Sequence, residues 1–208
     1  MTLNYFQMKL FISTLLVFLC LLSCNNGKQP IKGDTSFQIE LNAQYKDASR
    51  SPLKESDRKE FEGLEFFKYD STFVVEAVFT RTENEVPFKM KTTTDRLPTY
   101  VKYGVLQFAL NDEMFQLSVY QNQDKLEEDL HYDSLFLPFT DETNGLESYG
   151  GGRYIDLSIP TDNKLVIDFN SAYNPYCAYN DKYSCPIVPR ENYLKTRIEA
   201  GVKAFKKH

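Results

Sequence analysis

The chain has 208 residues, about one domain, with 42% hydrophobic and 25% charged residues, an ordinary globular balance. Its net charge of −5 and the lack of a basic cluster argue against nucleic acid or an anionic lipid surface as the main partner. Sixteen Phe and fourteen Tyr, with no Trp, favour strands and aromatic cores.

At the amino end, Lys9 precedes an uncharged run from Leu10 to Ser23, a positive n-region and an apolar h-region. The run is shorter than the roughly 20 apolar residues of a spanning helix. It ends "LLSC", which resembles the bacterial lipobox and makes Cys24 the acylated residue after cleavage. Met8 serves equally well as the start. Residues 1–23 therefore read as a lipoprotein signal peptide, and an uncleaved anchor helix from about Tyr5 to Cys24 is the alternative. Residues 24–33, polar and broken by Gly and Pro, read as a flexible tether. Two acyl chains suffice for stable anchoring. The expected location is the cell envelope, lipid-anchored and facing the periplasm.

Residues 34–208 read as a single β-rich domain. Phe37, Leu41 and Tyr45 recur at i, i+4 and i+8, predicting a helix capped by Asp34 or Thr35. Ser51-Pro52 breaks the chain and opens a second short helix through "ESDRKEFEGL", stopped by Gly63. From Phe66 the period falls to two. "FVVEAVFT", "PFKMKTT", "TYVKYGVLQFAL" and "MFQLSVYQ" predict strands. Leu106, Phe108 and Leu110 alternate with Gln107 and Ala109. After "NDE", Phe115, Leu117 and Val119 alternate with Gln116 and Ser118, an antiparallel hairpin with one buried face. "SLFLPFT", "RYIDLSI" and "KLVIDFN" predict further strands, the last two linked by the turn "PTDN". The expected fold is mainly β, an antiparallel sandwich or partly open barrel, with two short N-terminal helices and a long irregular C-terminal segment.

That segment, "DFNSAYNPYCAYNDKYSCP", packs four Tyr, three Asn, two Pro and two Cys into nineteen residues. Its prolines forbid a long helix or strand, so its side chains must order it. In an oxidising compartment Cys177 and Cys185 read first as a disulfide, closing a small loop worth roughly 2–3 kcal/mol. A metal site and a reactive thiol are weaker alternatives. His131, in a charged surface-type stretch, and the terminal His208 are the only histidines, and the spacing is not CxxC. No motif calls for a cofactor or a metal. Upstream, "GLESYGGGRYIDL" sets three glycines before Arg153. The simpler expectation is a tight turn opening a strand, with Arg153 pairing a carboxylate such as Asp168; the sharper one is an anion site.

"SPLKESDRKEFEGLEFF", "YGGGRYIDL", the Tyr/Cys segment and "ENYLKTRIEAGVK", in that order, resemble a bacterial and archaeal family known as domain of unknown function sixteen eighty-four. The likeness covers about residues 35–203. It implies hallmark positions at Gly152, Arg153, Tyr154, Asp168, Asn170, Tyr173, Asn174, Pro175, Cys177, Tyr179, Cys185, Pro186 and Asn192. The family's usual Ala-Gly-Glu-Lys ending reads Ala200-Gly201-Val202-Lys203 here, so its Glu is absent. The resemblance implies no activity.

Three functions follow as expectations. In the first, a tethered module binds a small polar or anionic ligand through Arg153, Tyr154, Asp168, Asn170, Tyr173, Asn174, Tyr179 and Asn192. In the second, a hydrolase uses Asp168 as acid or base with Arg153 steadying negative charge, although no GxSxG, HExxH or central His is present. In the third, the Tyr/Cys segment is a lid on an envelope scaffold. The first two require Arg153 and Asp168 to meet at one accessible spot.

Overall fold

The computed structural model describes residues 33–205, so the leader, Cys24, the leash up to residue 32 and His208 lie outside the described residues. Helix α1 (Ser36–Lys46) starts where the pattern predicts, with Thr35 as its cap. Thr35 Oγ1 accepts from Gln38 N–H at 3.2 Å, and Gln38 Oε1 accepts from the Asp34 N–H at 2.8 Å, so side chains serve one orphan donor within the first turn and one donor just ahead of it. Leu41 and Tyr45 turn inward onto Phe61, Phe66, Tyr179 and Val202. Helix α2 (Glu55–Lys59) is a single turn.

Seven strands follow: β1 (Val74–Arg81), β2 (Phe88–Lys89), β3 (Thr99–Leu110), β4 (Glu113–Asn122), β5 (Ser134–Phe139), β6 (Arg153–Ser158) and β7 (Lys164–Asp168). A short helix absent from the sequence expectation, α3 (Gln123–Glu128), follows β4; Asn122 caps it by accepting from Lys125 N–H at 3.1 Å. β3 and β4 form the expected hairpin. Asn111 and Asp112 both have positive φ, 51° and 62°, the backbone that a two-residue turn between twisted strands requires.

All strand pairings are antiparallel and the order is β6-β5-β4-β3-β1-β7, with β2 beside β3. β6 and β7 are consecutive in sequence yet lie at opposite ends of this order. Laid flat, six strands would separate these edges by about 24 Å, more than the roughly 20 Å that the short link after Ser158 can span. The sheet therefore curls into a half-barrel, the open-barrel member of the predicted pair.

Alternation gives the sheet two working faces. The concave core holds Leu106, Phe108, Leu117, Val119, Leu135, Leu137, Phe139, Ile155, Ile167 and Phe169. Each such side chain contributes about 1.5–3 kcal/mol on burial. Met90, Tyr100, Tyr120, Phe136 and Tyr154 cluster separately. Ser118, expected to face solvent, is buried, because Asn192 from the C-terminal segment brackets its backbone. That segment contains only short 3-10 turns, at Phe169–Ser171, Tyr176–Ala178 and Arg190–Asn192.

Candidate functional site

Arg153 does not face a ligand. It is fully buried, and its guanidinium meets the equally buried carboxylate of Asp141 at 2.8 Å. It also donates to the carbonyls of Ala200 and Ile198, the latter at 2.8 Å. Asp141 Oδ1 accepts from the N–H groups of Thr143 and Ile198 at 2.8 and 3.2 Å. Burial lowers the Arg153 pKa and Asp141 opposes that shift. The charge pair is a latch that fastens the loop after β5 and the C-terminal strap to the start of β6.

The expected meeting of Arg153 with Asp168 is thus corrected. They sit on strands at opposite ends of the sheet order, and Asp168 caps its own 3-10 turn, accepting from Asn170 N–H at 2.9 Å. Asn170, Asn174, Tyr179 and Asn192 are also buried. Asn170 exchanges two hydrogen bonds with the Asp70 backbone, and Asn174 Nδ2 donates to the Lys203 carbonyl at 2.8 Å. Asn192 accepts from Ser118 N–H and donates to the carbonyls of Ser118 and Pro138. These amides stand in for the ladder partners that an irregular segment lacks, which explains the abundance of Asn there. Tyr179 packs edge-on to Tyr45 at 4.9 Å. Gly152 fulfils the turn expectation, at φ +90°.

Tyr154 and Tyr173 do reach a cavity, because residue 154 points to the face opposite Arg153. A cleft of about 480 Å³ opens between the sheet, α1 and the Tyr/Cys segment. Its floor follows the cross-strand pair Phe136–Asp156, beside Tyr100 paired with Asn122. Phe136 meets Tyr154 edge-to-face at 4.7 Å and Tyr100 at 5.7 Å. Tyr173 and Tyr176 form the roof, joined by Tyr183, with Phe37 and Leu41 from α1.

Three charged groups line the cleft: Arg96, Lys125 and Asp156. Arg96 is held by donation to the Ser184 carbonyl at 3.0 Å, and the Lys125 ammonium lies 5.6 Å from the centre of the Tyr132 ring. Asp156 Oδ2 accepts from Tyr173 OH at 2.7 Å. Asp156 is exposed, but the neighbouring cleft walls take away part of its hydration and so raise its pKa, while Tyr173 and Lys125 pull it down. Burial also raises the Tyr100 and Tyr154 hydroxyls. Tyr154 OH donates to the Pro186 carbonyl, tying floor to roof.

The family model described as "Protein of unknown function (DUF1684)" matches residues 59–203. The chain belongs to this DUF1684 family. A solved relative is an uncharacterized protein of Haloarcula marismortui, determined by solution NMR. It is 34% identical with a TM-score of 0.65, and the match covers 82% of this chain and 91% of that one. Comparison with curated proteins finds no match.

The DUF1684 match begins after α1, so Phe37 and Leu41 of the cleft roof lie outside it, whereas Tyr100, Phe136, Tyr154, Asp156 and Tyr173 lie inside. Val202, where the resemblance implies a Glu, is buried and bridges to Phe66. Among the described residues no grouping of three or more His, Cys, Asp or Glu could hold a metal. Arg96, Lys125 and Asp156 escaped the sequence reading. Asp156 alone carried a signal, as a charged residue two positions from Tyr154 on a strand.

Cys177 and Cys185 are free thiols in the structure. They are adjacent: Cys177 N–H donates to Cys185 Sγ at 3.0 Å. Cys185 forms part of the cleft wall.

Proposed function

We propose that this DUF1684 protein is an envelope-tethered binding module whose aromatic cleft takes a small flat molecule carrying a negative charge. The observation behind this is the composition of one cavity: a floor of Tyr100, Phe136 and Tyr154 with two cations, Arg96 and Lys125, against one acid, Asp156. Aromatic walls favour a planar apolar body, and a guanidinium with an ammonium favours a carboxylate or phosphate at its end. The anion contact expected of Arg153 passes to Arg96 and Lys125. Cleavage before Cys24, acylation of that residue and a leash over residues 24–33 would hold the domain at the membrane, facing the periplasm. Oxidation of Cys177 and Cys185 to a disulfide in that compartment would staple the cleft wall.

The test is a thermal-shift series with benzoate and indole-3-carboxylate against benzamide and indole-3-carboxamide. The carboxylates should stabilise the protein, by about 5–10 °C near a hundredfold excess over Kd, and the amides should not. The Arg96→Glu, Lys125→Glu double variant should keep its own melting temperature within about 2 °C, as expected of surface side chains, and lose the response. Equal stabilisation by the amides, or an unchanged response in the double variant, would reject the anion site.

A further inference from the structure

Beyond ligand binding, and independent of it, we propose that Cys177 and Cys185 form a thiol–disulfide exchange site, with Cys177 as the attacking sulfur and Cys185 as the resolving one, acting on the disulfide of a small thiol or of a thiol-bearing protein.

The assignment rests on how differently the fold treats two neighbouring sulfurs. Cys177 lies in the Tyr176–Ala178 turn and is partly open to solvent, whereas Cys185 is buried. Of the two, Cys177 is the residue more exposed to an incoming disulfide, and Cys185 lies in the cleft wall. The Cys177 N–H donates to Cys185 Sγ at 3.0 Å, which sets the two side chains beside each other, and Tyr149 OH lies 4.0 Å from Cys177 Sγ. With Cys185 S–H and Tyr149 O–H as donors, negative charge on Cys177 is stabilised; its pKa falls below the ordinary thiol range while that of Cys185 rises.

The backbone that carries the second sulfur is pinned by a scaffold outside the 177–185 loop. Cys185 N–H donates to Thr93 Oγ1 at 3.1 Å, and the Cys185 carbonyl accepts from Thr93 N–H at 2.9 Å. Ser184 Oγ binds the Thr94 and Thr92 hydroxyls at 2.6 and 2.9 Å, and Pro186 bridges to Thr92. The ribbon before β3 therefore holds Cys185 in place in the reduced protein. An inert staple requires only that two sulfurs meet; this site also separates them by exposure and by proton affinity.

The exchange balances without a cofactor. Cys177 loses its proton to solvent and its thiolate attacks one sulfur of R–S–S–R, breaking that bond and releasing one R–S⁻. Cys185 passes its proton to this leaving thiolate. Its own thiolate then attacks Cys177 Sγ, breaking the mixed disulfide and releasing the second R–S⁻, which takes a proton from solvent. Two electrons pass from the cysteine pair to the partner, which leaves as two thiols.

The experiment uses the full-length chain, reduced and then exposed to glutathione disulfide, with adducts located by peptide mass mapping so that Cys20 and Cys24 are read separately. Cys185→Ala should accumulate a stable glutathione adduct on Cys177. Cys177→Ala should form an adduct on Cys185 at least about tenfold more slowly, following thiolate content and access. The wild type should proceed to the Cys177–Cys185 disulfide without accumulating either adduct. Should Cys185→Ala fold poorly, iodoacetamide on the wild type at pH 7 decides: Cys177 should be alkylated about tenfold faster than Cys185. Equal rates at the two sulfurs, preference for Cys185, or a wild type that keeps both thiols would overturn the proposal. None of these outcomes bears on carboxylate binding, so the two ideas fail separately.

Discussion

Replacing Arg153 by Met separates a latch from a ligand site. The side chain is fully buried, with Asp141 at 2.8 Å and the carbonyls of Ile198 and Ala200 as further partners. Met fills much of the volume but leaves the Asp141 carboxylate uncompensated in a water-free position. Removing one member of such a pair costs about 3–5 kcal/mol, because the survivor keeps its desolvation penalty. A domain of this size melts about 2–4 °C lower per kcal/mol, so the expected fall is roughly 6–20 °C. Replacing both partners, as Arg153→Met with Asp141→Leu, should recover a large part of it, since paired hydrophobic substitutes are often neutral. With no Trp in the chain, urea unfolding is followed by circular dichroism, and the slope should stay constant. A single variant melting within about 2 °C of wild type, the range of a surface substitution, would refute the latch and return Arg153 to the role of an available cation.

Gly152 and Asp156 provide two more tests. A Cβ at residue 152 would lie 2.6 Å from Val188 Cγ2 and 2.7 Å from the Phe139 carbonyl oxygen, with φ at +90°. Strain and overpacking together predict about 2–5 kcal/mol lost in Gly152→Ala. Gly150→Ala, where the nearest atom is 3.7 Å away, should melt within about 2 °C of wild type; equal loss at both would show that the turn tolerates no side chain for other reasons. Asp156 has a raised folded-state pKa, so the protonated form favours folding, and that contribution vanishes as pH rises through the raised value. Asp156→Asn should therefore melt higher than wild type at pH 7, on the order of 1–2 °C after solvent screening. The advantage should shrink below about pH 4, where the unfolded carboxyl also protonates. A difference that does not vary with pH would mean that Asp156 is hydrated like any surface carboxylate.

Much of the architecture was legible because its signals are local. The period-two runs at Leu106–Leu110 and Phe115–Val119 mark a strand pair, and Asn111-Asp112 between them accepts positive φ. Thr35, one of the two cap residues ahead of Phe37, Leu41 and Tyr45, marks a helix start. Helix α3 was missed because six residues with one apolar side chain leave no periodic trace. The candidate site was legible only in part. Tyr154 and Tyr173 reach the cleft, whereas Arg153, Asn170, Asn174 and Asn192 fasten distant stretches of backbone and Asp168 caps its own turn.

By itself the sequence determined the strand content, the capped first helix, the glycine turn before Arg153 and a C-terminal segment that side chains must hold together. Only tertiary structure decided which polar groups are spent inside and which line a cavity. Distant partners such as Asp141, Ile198 and Ser118 are chosen by the curl of the sheet, and no local pattern around Arg153 or Asn192 encodes that choice. Strand alternation then sends Arg153 inward and Tyr154 and Asp156 outward, so neighbours along the chain end on opposite faces.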